Sequence, residues 1–348
     1  MRGRNRYGGY RGRRTGRDFL KYLIAALVVL VVVLAAILFF SPERPKQPEE
    51  PEVPEQSLPL EEEPGAAEPD EEPEPEPEPM PEPEPAAMAA LGLELGQVLD
   101  GSWKSVLTEH GANALVLNMK PDDGSLNWDS DRNVQDSAEE RVNDRLRALN
   151  SGEVYTIARM SCFRDELLAN TYEYCIHSNS GYRWKDFGGM HWVSPASAGV
   201  QEHLVNLTVE LAELGFDEIL LDNCGYPQDG SGEMGWIKRG EVYDPENLDK
   251  VIGGFLEKLH TAVEPYGTVI SIRTNAVVVQ DASGAKTGLT GGVLEEYADR
   301  IWISELDTDA PLAEILAEAG VSGVGERLVT QSATLLPGES WNRAVLSF

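Results

Sequence analysis

The chain has 348 residues, with 59 acidic against 29 basic side chains and a formal net charge of −30. A surface of that sign repels phosphate, which argues against nucleic acid as a partner. Only three cysteines occur, Cys162, Cys175 and Cys224, too few for a disulfide scaffold and without the paired CxxC spacing of a structural zinc site. They read as buried small hydrophobes, with one optional bridge from Cys162 to Cys175.

Residues 1–22 are basic: Arg2, Arg4, Arg6, Arg11, Arg13, Arg14, Arg17 and Lys21 outweigh the single acid Asp18. Arginine interleaved with Gly and Tyr also suits RNA, but membrane topology accounts for the same charges. The run LIAALVVLVVVLAAILFF, residues 23–40, contains no charged, Gly or Pro residue. As a helix it spans roughly 27 Å, close to the thickness of a hydrocarbon core, so it reads as a single transmembrane helix. Positive flanks stay in the cytoplasm, which sends everything after residue 40 outside the cell. A cleaved signal peptide would be shorter and end at a small-x-small site, whereas Phe39-Phe40-Ser41-Pro42 follows here. Residues 41–87 turn to Pro and Glu, with PDEEPEPEPEPMPEPEP from Pro69 to Pro85. Proline fixes φ and like charges repel, so this segment is expected to be a disordered, extended stalk that buries no core.

Residues 88–348 are long enough for one α/β domain. Short apolar runs alternate with amphipathic stretches: Ala114 to Asn118, Val154 to Arg159, Glu218 to Asn223, Val269 to Thr274, Arg300 to Glu305, Arg327 to Gln331 and Ala344 to Phe348. A weak run near Ala86 to Leu95 makes eight. Between them, Val200, Leu204, Leu207, Leu211 and Leu214 recur at helical spacing over Ala198 to Leu214. Eight parallel strands alternating with helices predict a (β/α)8 TIM barrel.

Such barrels collect chemistry where their strands end at the C-terminal face. Those ends carry Asn118, Lys120, Arg159, Ser161, Asp222, Asn223, Arg273, Asn275, Glu305 and Gln331. The loop GYRWKDFGGMHWVSP, from Gly181 to Pro195, adds Tyr182, Trp184 and Trp192, which either stack on sugar rings or plug the barrel rim. His110, His177, His191, His203 and His260 show no HxH or HxxxH spacing, and no P-loop or dinucleotide fingerprint occurs, so neither a metal nor a nucleotide cofactor is expected.

Several segments resemble the glycoside hydrolase domain family found on bacterial surface proteins, an α-amylase-like barrel. The likeness rests on ANALVLNMKPDDGSLNW (Ala112 to Trp128), YTIARMSCFRDELLA (Tyr155 to Ala169), the Gly181 to Pro195 loop and, most specifically, LAELGFDEILLDNCGYP (Leu211 to Pro227). The resemblance implies a (β/α)8 fold and a carbohydrate substrate. It puts Asp222, at the end of the fourth strand, where the nucleophile lies, and assigns substrate contacts to Lys120, Asp123 and Tyr226. Arg159, Trp184, Trp192 and Arg273 join them as candidate binding residues. Glycoside hydrolysis normally needs a second carboxyl. Family members usually end the fifth strand with an acid, whereas this chain offers Arg273, Thr274 and Asn275. The nearest replacement is Glu305, with Asp123 the weaker choice. Arg273 beside Asp222 is expected to favour the ionised form, which suits a nucleophile and not a proton donor. The functions that follow are hydrolysis of a cell-wall or capsular polysaccharide or, alternatively, a catalytically inactive carbohydrate-binding barrel of the envelope.

Overall fold

All eight anticipated runs form strands. The computed structural model describes residues 87–131, 141–227, 237–240, 243–280, 287–304, 311–335 and 342–346. In chain order the strands are β1 (Ala89–Leu93), β2 (Ala114–Lys120), β3 (Tyr155–Ser161), β4 (Glu218–Asp222), β5 (Val269–Thr274), β6 (Arg300–Ser304), β7 (Leu328–Gln331) and β8 (Asn342–Val345). Each pairs in parallel with the next, and β8 pairs with β1 to close the barrel. The first strand was legible only weakly, and the last begins two residues earlier than its apolar run. The expected transmembrane segment 23–40 and stalk residues 41–86 lie outside the described residues, among which no helix is long and apolar enough to cross a membrane.

Side chains divide between two cores because successive residues of a strand point to opposite faces. Ala90, Ala114, Val116, Ile157, Leu220, Trp302, Val329 and Ala344 fill the barrel interior. Their neighbours, such as Leu91, Leu115, Leu117, Ile219 and Leu221, face the surrounding helices. The helix Ala198–Glu213 shows why the sequence signal was clear: Val200, Leu204, Leu207 and Leu211 recur every three or four residues, and all four are fully buried.

At the N-terminal end of the barrel, Glu218 is fully buried yet satisfied. It accepts bonds from the Trp302 indole at 3.0 Å, from the Tyr155 hydroxyl at 3.1 Å and from Arg300. Interior positions on β4 therefore run Glu218, Leu220, Asp222: a buried ion pair at the base, an apolar middle and a carboxylate at the mouth.

All three cysteines are buried and free, so the optional Cys162 to Cys175 bridge is not formed. The thiol beside Cys162 is instead Cys224, and that contact together with burial pushes the Cys224 thiol well up. These two cysteines follow adjacent strands paired through Ser161 and Asp222, whereas Cys175 lies out in the loop after β3.

Candidate active site at the barrel mouth

Strand register brings together residues far apart in sequence. Asn118 of β2 lies beside Arg159 of β3, Arg159 beside Leu220 of β4, and Ser161 beside Asp222. Arg159 therefore sits one layer below Asp222 and reaches up to it. Asp222 Oδ2 accepts Arg159 Nε at 3.0 Å, Arg159 Nη2 at 2.6 Å and Arg273 Nη1 at 2.7 Å. Asp222 Oδ1 accepts the Asn223 backbone N–H at 2.9 Å. Asn223 adopts φ +49°, a left-handed conformation that Asn tolerates better than most residues.

Burial pushes the Asp222 carboxyl up, but the charges of Arg159 and Arg273, with their hydrogen bonds, outweigh it and hold the group below the ordinary carboxylate range. It is an ionised acceptor and not a proton donor. Among the described residues, the partners of this carboxylate are the two arginines and its own neighbour Asn223.

A cavity of about 230 Å³ opens over this carboxylate, lined by Trp192, Asp222, Tyr226, Arg273, Thr274 and Ser304 among others. Of the lining residues, Tyr226 and Thr274 have buried hydroxyls with no hydrogen-bond partner among the described residues. An unpaired buried hydroxyl costs about 1 to 3 kcal/mol.

The remaining candidates fall in different places. Lys120 is fully buried, its ammonium bound to Asp165 at 2.7 Å and to the Ser161 carbonyl at 2.8 Å. It lies beneath the mouth and does not line the cavity. Asp123 is exposed and closes its own turn, accepting Ser125 N at 2.9 Å and Ser125 Oγ at 2.7 Å. The adjacent Asp122 is the one that joins the site, accepting Arg159 Nη2 at 2.6 Å. Trp184 is buried and does not line the cavity, whereas Trp192 is buried and does. Tyr182 leaves its ring open to solvent, as does Phe187 in the same loop. Glu305 lies outside the described residues, one position beyond the cavity-lining Ser304.

Residues 101–302 match the family described as "Putative glycosyl hydrolase domain". The chain belongs to this glycosyl hydrolase family. The matched span contains Arg159, Asp222 and Arg273 and ends before Glu305. No curated protein matches the chain. Among solved structures, the glycoside hydrolase domain of PgaB (BpsB) from Bordetella bronchiseptica aligns with a TM-score of 0.53 at 13% identity, covering 75% of this chain and 94% of that one. A hypothetical protein from Ruminiclostridium thermocellum is 22% identical over 52% of this chain and 96% of its own, with a TM-score of 0.43. The glycoside hydrolase domain of PelA from Pseudomonas aeruginosa is 13% identical, covering 72% and 84%, with a TM-score of 0.41. At these identities the likeness to PgaB speaks for the barrel fold alone.

Sequence reading did not single out Asp122, which pairs with Arg159, or Thr274, which lines the cavity. Only Thr274 carried a signal, as the penultimate position of its run VISIRTN.

Proposed function

We propose that the protein hydrolyses a cell-wall or capsular polysaccharide outside the cell, with Asp222 as its ionised catalytic carboxylate and Glu305 as the proton donor. The carrying observation is the placement of Asp222: ionised, at the cavity floor, on the inward face of β4. In a retaining reaction such a carboxylate attacks the anomeric carbon, and in an inverting one it deprotonates the attacking water. Trp192 gives the cavity an aromatic wall, and in this proposal the buried Tyr226 and Thr274 hydroxyls, without a partner among the described residues, turn to sugar hydroxyls when the ligand enters. Lys120 and Asp123 have no direct part in this reading.

One observation favours an inactive carbohydrate-binding barrel. Among the described residues Asp222 is the only carboxylate lining the cavity, and its Oδ2 already accepts three N–H bonds. Reducing-end release from a panel of wall and capsular polysaccharides decides between the two. Hydrolysis by the wild-type protein is expected, and binding without release would establish the silent barrel. Tyr226→Phe is expected to lower kcat/KM by about tenfold while leaving the melting temperature unchanged or higher, because it removes a costly unpaired hydroxyl. A fall in melting temperature with full activity would assign that hydroxyl to the fold.

The same proposal includes residues 1–22 in the cytoplasm, residues 23–40 as the anchor and residues 41–87 as a stalk holding the barrel, 88–348, away from the membrane. It is supported by the charge asymmetry around an uninterrupted apolar run. Protease added to intact cells is expected to remove the barrel and spare the N-terminus; a protected barrel would overturn this topology.

A further inference from the structure

The segment between β3 and the helix Ala198–Glu213 includes two tight hairpins near the mouth. Antiparallel pairing joins His177 to Arg183 and Lys185 to His191. Their turns close through Gly181 N to Ser178 O at 2.8 Å and Gly189 N to Asp186 O at 2.9 Å. Two further antiparallel contacts, Cys175 with Val193 and Arg164 with Trp192, tie the second hairpin back to the segment leaving β3.

Asp186 opens the second turn, and its carboxylate is fully engaged. Oδ2 accepts the Trp192 indole N–H at 2.9 Å and Arg164 Nε at 2.8 Å, while Oδ1 accepts Met190 N at 3.0 Å. The other end of Arg164 donates to Asp122 Oδ2, and Asp122 Oδ1 accepts Arg159 Nη2 at 2.6 Å. Arg159 in turn donates to Asp222. An unbroken alternation of donor and acceptor thus runs from the cavity wall to the cavity floor: Trp192, Asp186, Arg164, Asp122, Arg159, Asp222. Burial raises the Asp186 carboxyl, but the indole bond and Arg164 outweigh it and keep the group ionised.

Packing alone holds an indole in a pocket but fixes its plane poorly, whereas a charge-assisted bond to Nε1 sets the rotation as well. Stacking on a sugar ring depends on that plane. We propose that Asp186 is a positioning residue that sets the Trp192 indole as one wall of the sugar-binding cavity. The inference rests on the reading of this cavity as the glycan site. Arg164 is the bridge between the two halves, because its guanidinium binds Asp186 on one edge and Asp122 on another.

The test compares wild type with Asp186→Asn, Trp192→Phe and the double variant. The amide in Asp186→Asn keeps one carbonyl oxygen but loses the anion that binds both Arg164 and the indole. With ¹⁵N-labelled tryptophan, the Trp192 indole resonance is identified by its disappearance in Trp192→Phe. In Asp186→Asn that resonance is expected to move upfield and exchange its proton at least about tenfold faster, with folding retained by circular dichroism. On wall polysaccharide stripped of peptide, KM is expected to rise about tenfold with kcat changed less than about twofold, since a misaligned wall weakens ground-state and transition-state binding alike. The double variant is expected to be no worse in KM than Trp192→Phe alone, because both act through one indole. An unmoved indole resonance, or additive KM effects, overturns the positioning role. If the wild-type protein releases nothing from any glycan, the hydrolase reading fails, and the indole resonance still decides whether Asp186 holds Trp192.

Discussion

Asp222→Asn is expected to lower glycan hydrolysis by at least about 10³-fold, the scale of loss when a reacting group is removed. The near-isosteric amide also costs stability. Asp222 is buried, and its Oδ2 takes three N–H bonds from Arg159 and Arg273. An amide oxygen accepts fewer and weaker bonds, leaves Arg159 with Asp122 alone and takes from Arg273 its carboxylate partner among the described residues, a loss of about 3 kcal/mol. Activity must therefore be compared well below the variant's melting temperature, with circular dichroism showing that it is folded. Asp122→Asn is the control, since it also strips a partner from Arg159 without touching the cavity floor. It is expected to lose comparable stability and retain activity to within about tenfold. Equal loss of activity in both variants would reduce Asp222 to a structural counter-ion.

The same ion pairs fix a pH dependence. The folded-state pKa of Asp222 lies below its unfolded value, so its contribution to stability is fully present above the ordinary carboxylate range, near about 3.9. That contribution is lost as pH falls through the lower folded value. Because Asp222 acts as the anion, protonating it does not set an acid limb of kcat/KM above that range.

Lys120→Met is expected to destabilise the protein by about 3 to 5 kcal/mol, measured by urea denaturation. Lys120 and Asp165 are both buried and joined at 2.7 Å. Asp165 also accepts Leu168 N at 2.7 Å. Removing the ammonium leaves a carboxylate in a low-dielectric site with only backbone donors, whereas Lys120→Met with Asp165→Leu is expected to recover most of the loss. The tight fit around Asp165 extends to Gly124, at φ +88°, where a Cβ would lie 2.1 Å from Asp165 Oδ1. If Lys120 instead contacted substrate, its removal would raise KM at little cost in stability.

The barrel was legible because parallel strands buried on both faces appear in sequence as continuous apolar runs. β8 was placed late because its first residues, Asn342 and Arg343, are polar, and the apolar run starts in mid-strand. Arg159, Asp222 and Arg273 were candidates as strand-end residues, and strand alternation puts all three on the inward face, where they meet. The pairing of β2 with β3 shifts register between Asn118 and Lys120, and the Lys120 side chain turns to Asp165, a placement that no strand-end position foretells. Asp122 and Asp123 are adjacent in a turn, where no period tells which carboxylate faces the site. Asp186 was invisible for a related reason: its role depends on two hairpins bringing Trp192 back beside Arg164.

The measurement that bears most directly on the carboxylate pair is the separation of the Asp222 and Glu305 carboxyl groups in a crystal with an oligosaccharide bound. A pair working on one glycosidic bond requires about 5 to 5.5 Å for retention or about 6.5 to 9.5 Å for inversion, and a value within those limits is expected. A clearly greater separation, with no other acid near Asp222, would contradict hydrolysis and leave a barrel that binds glycan without cleaving it.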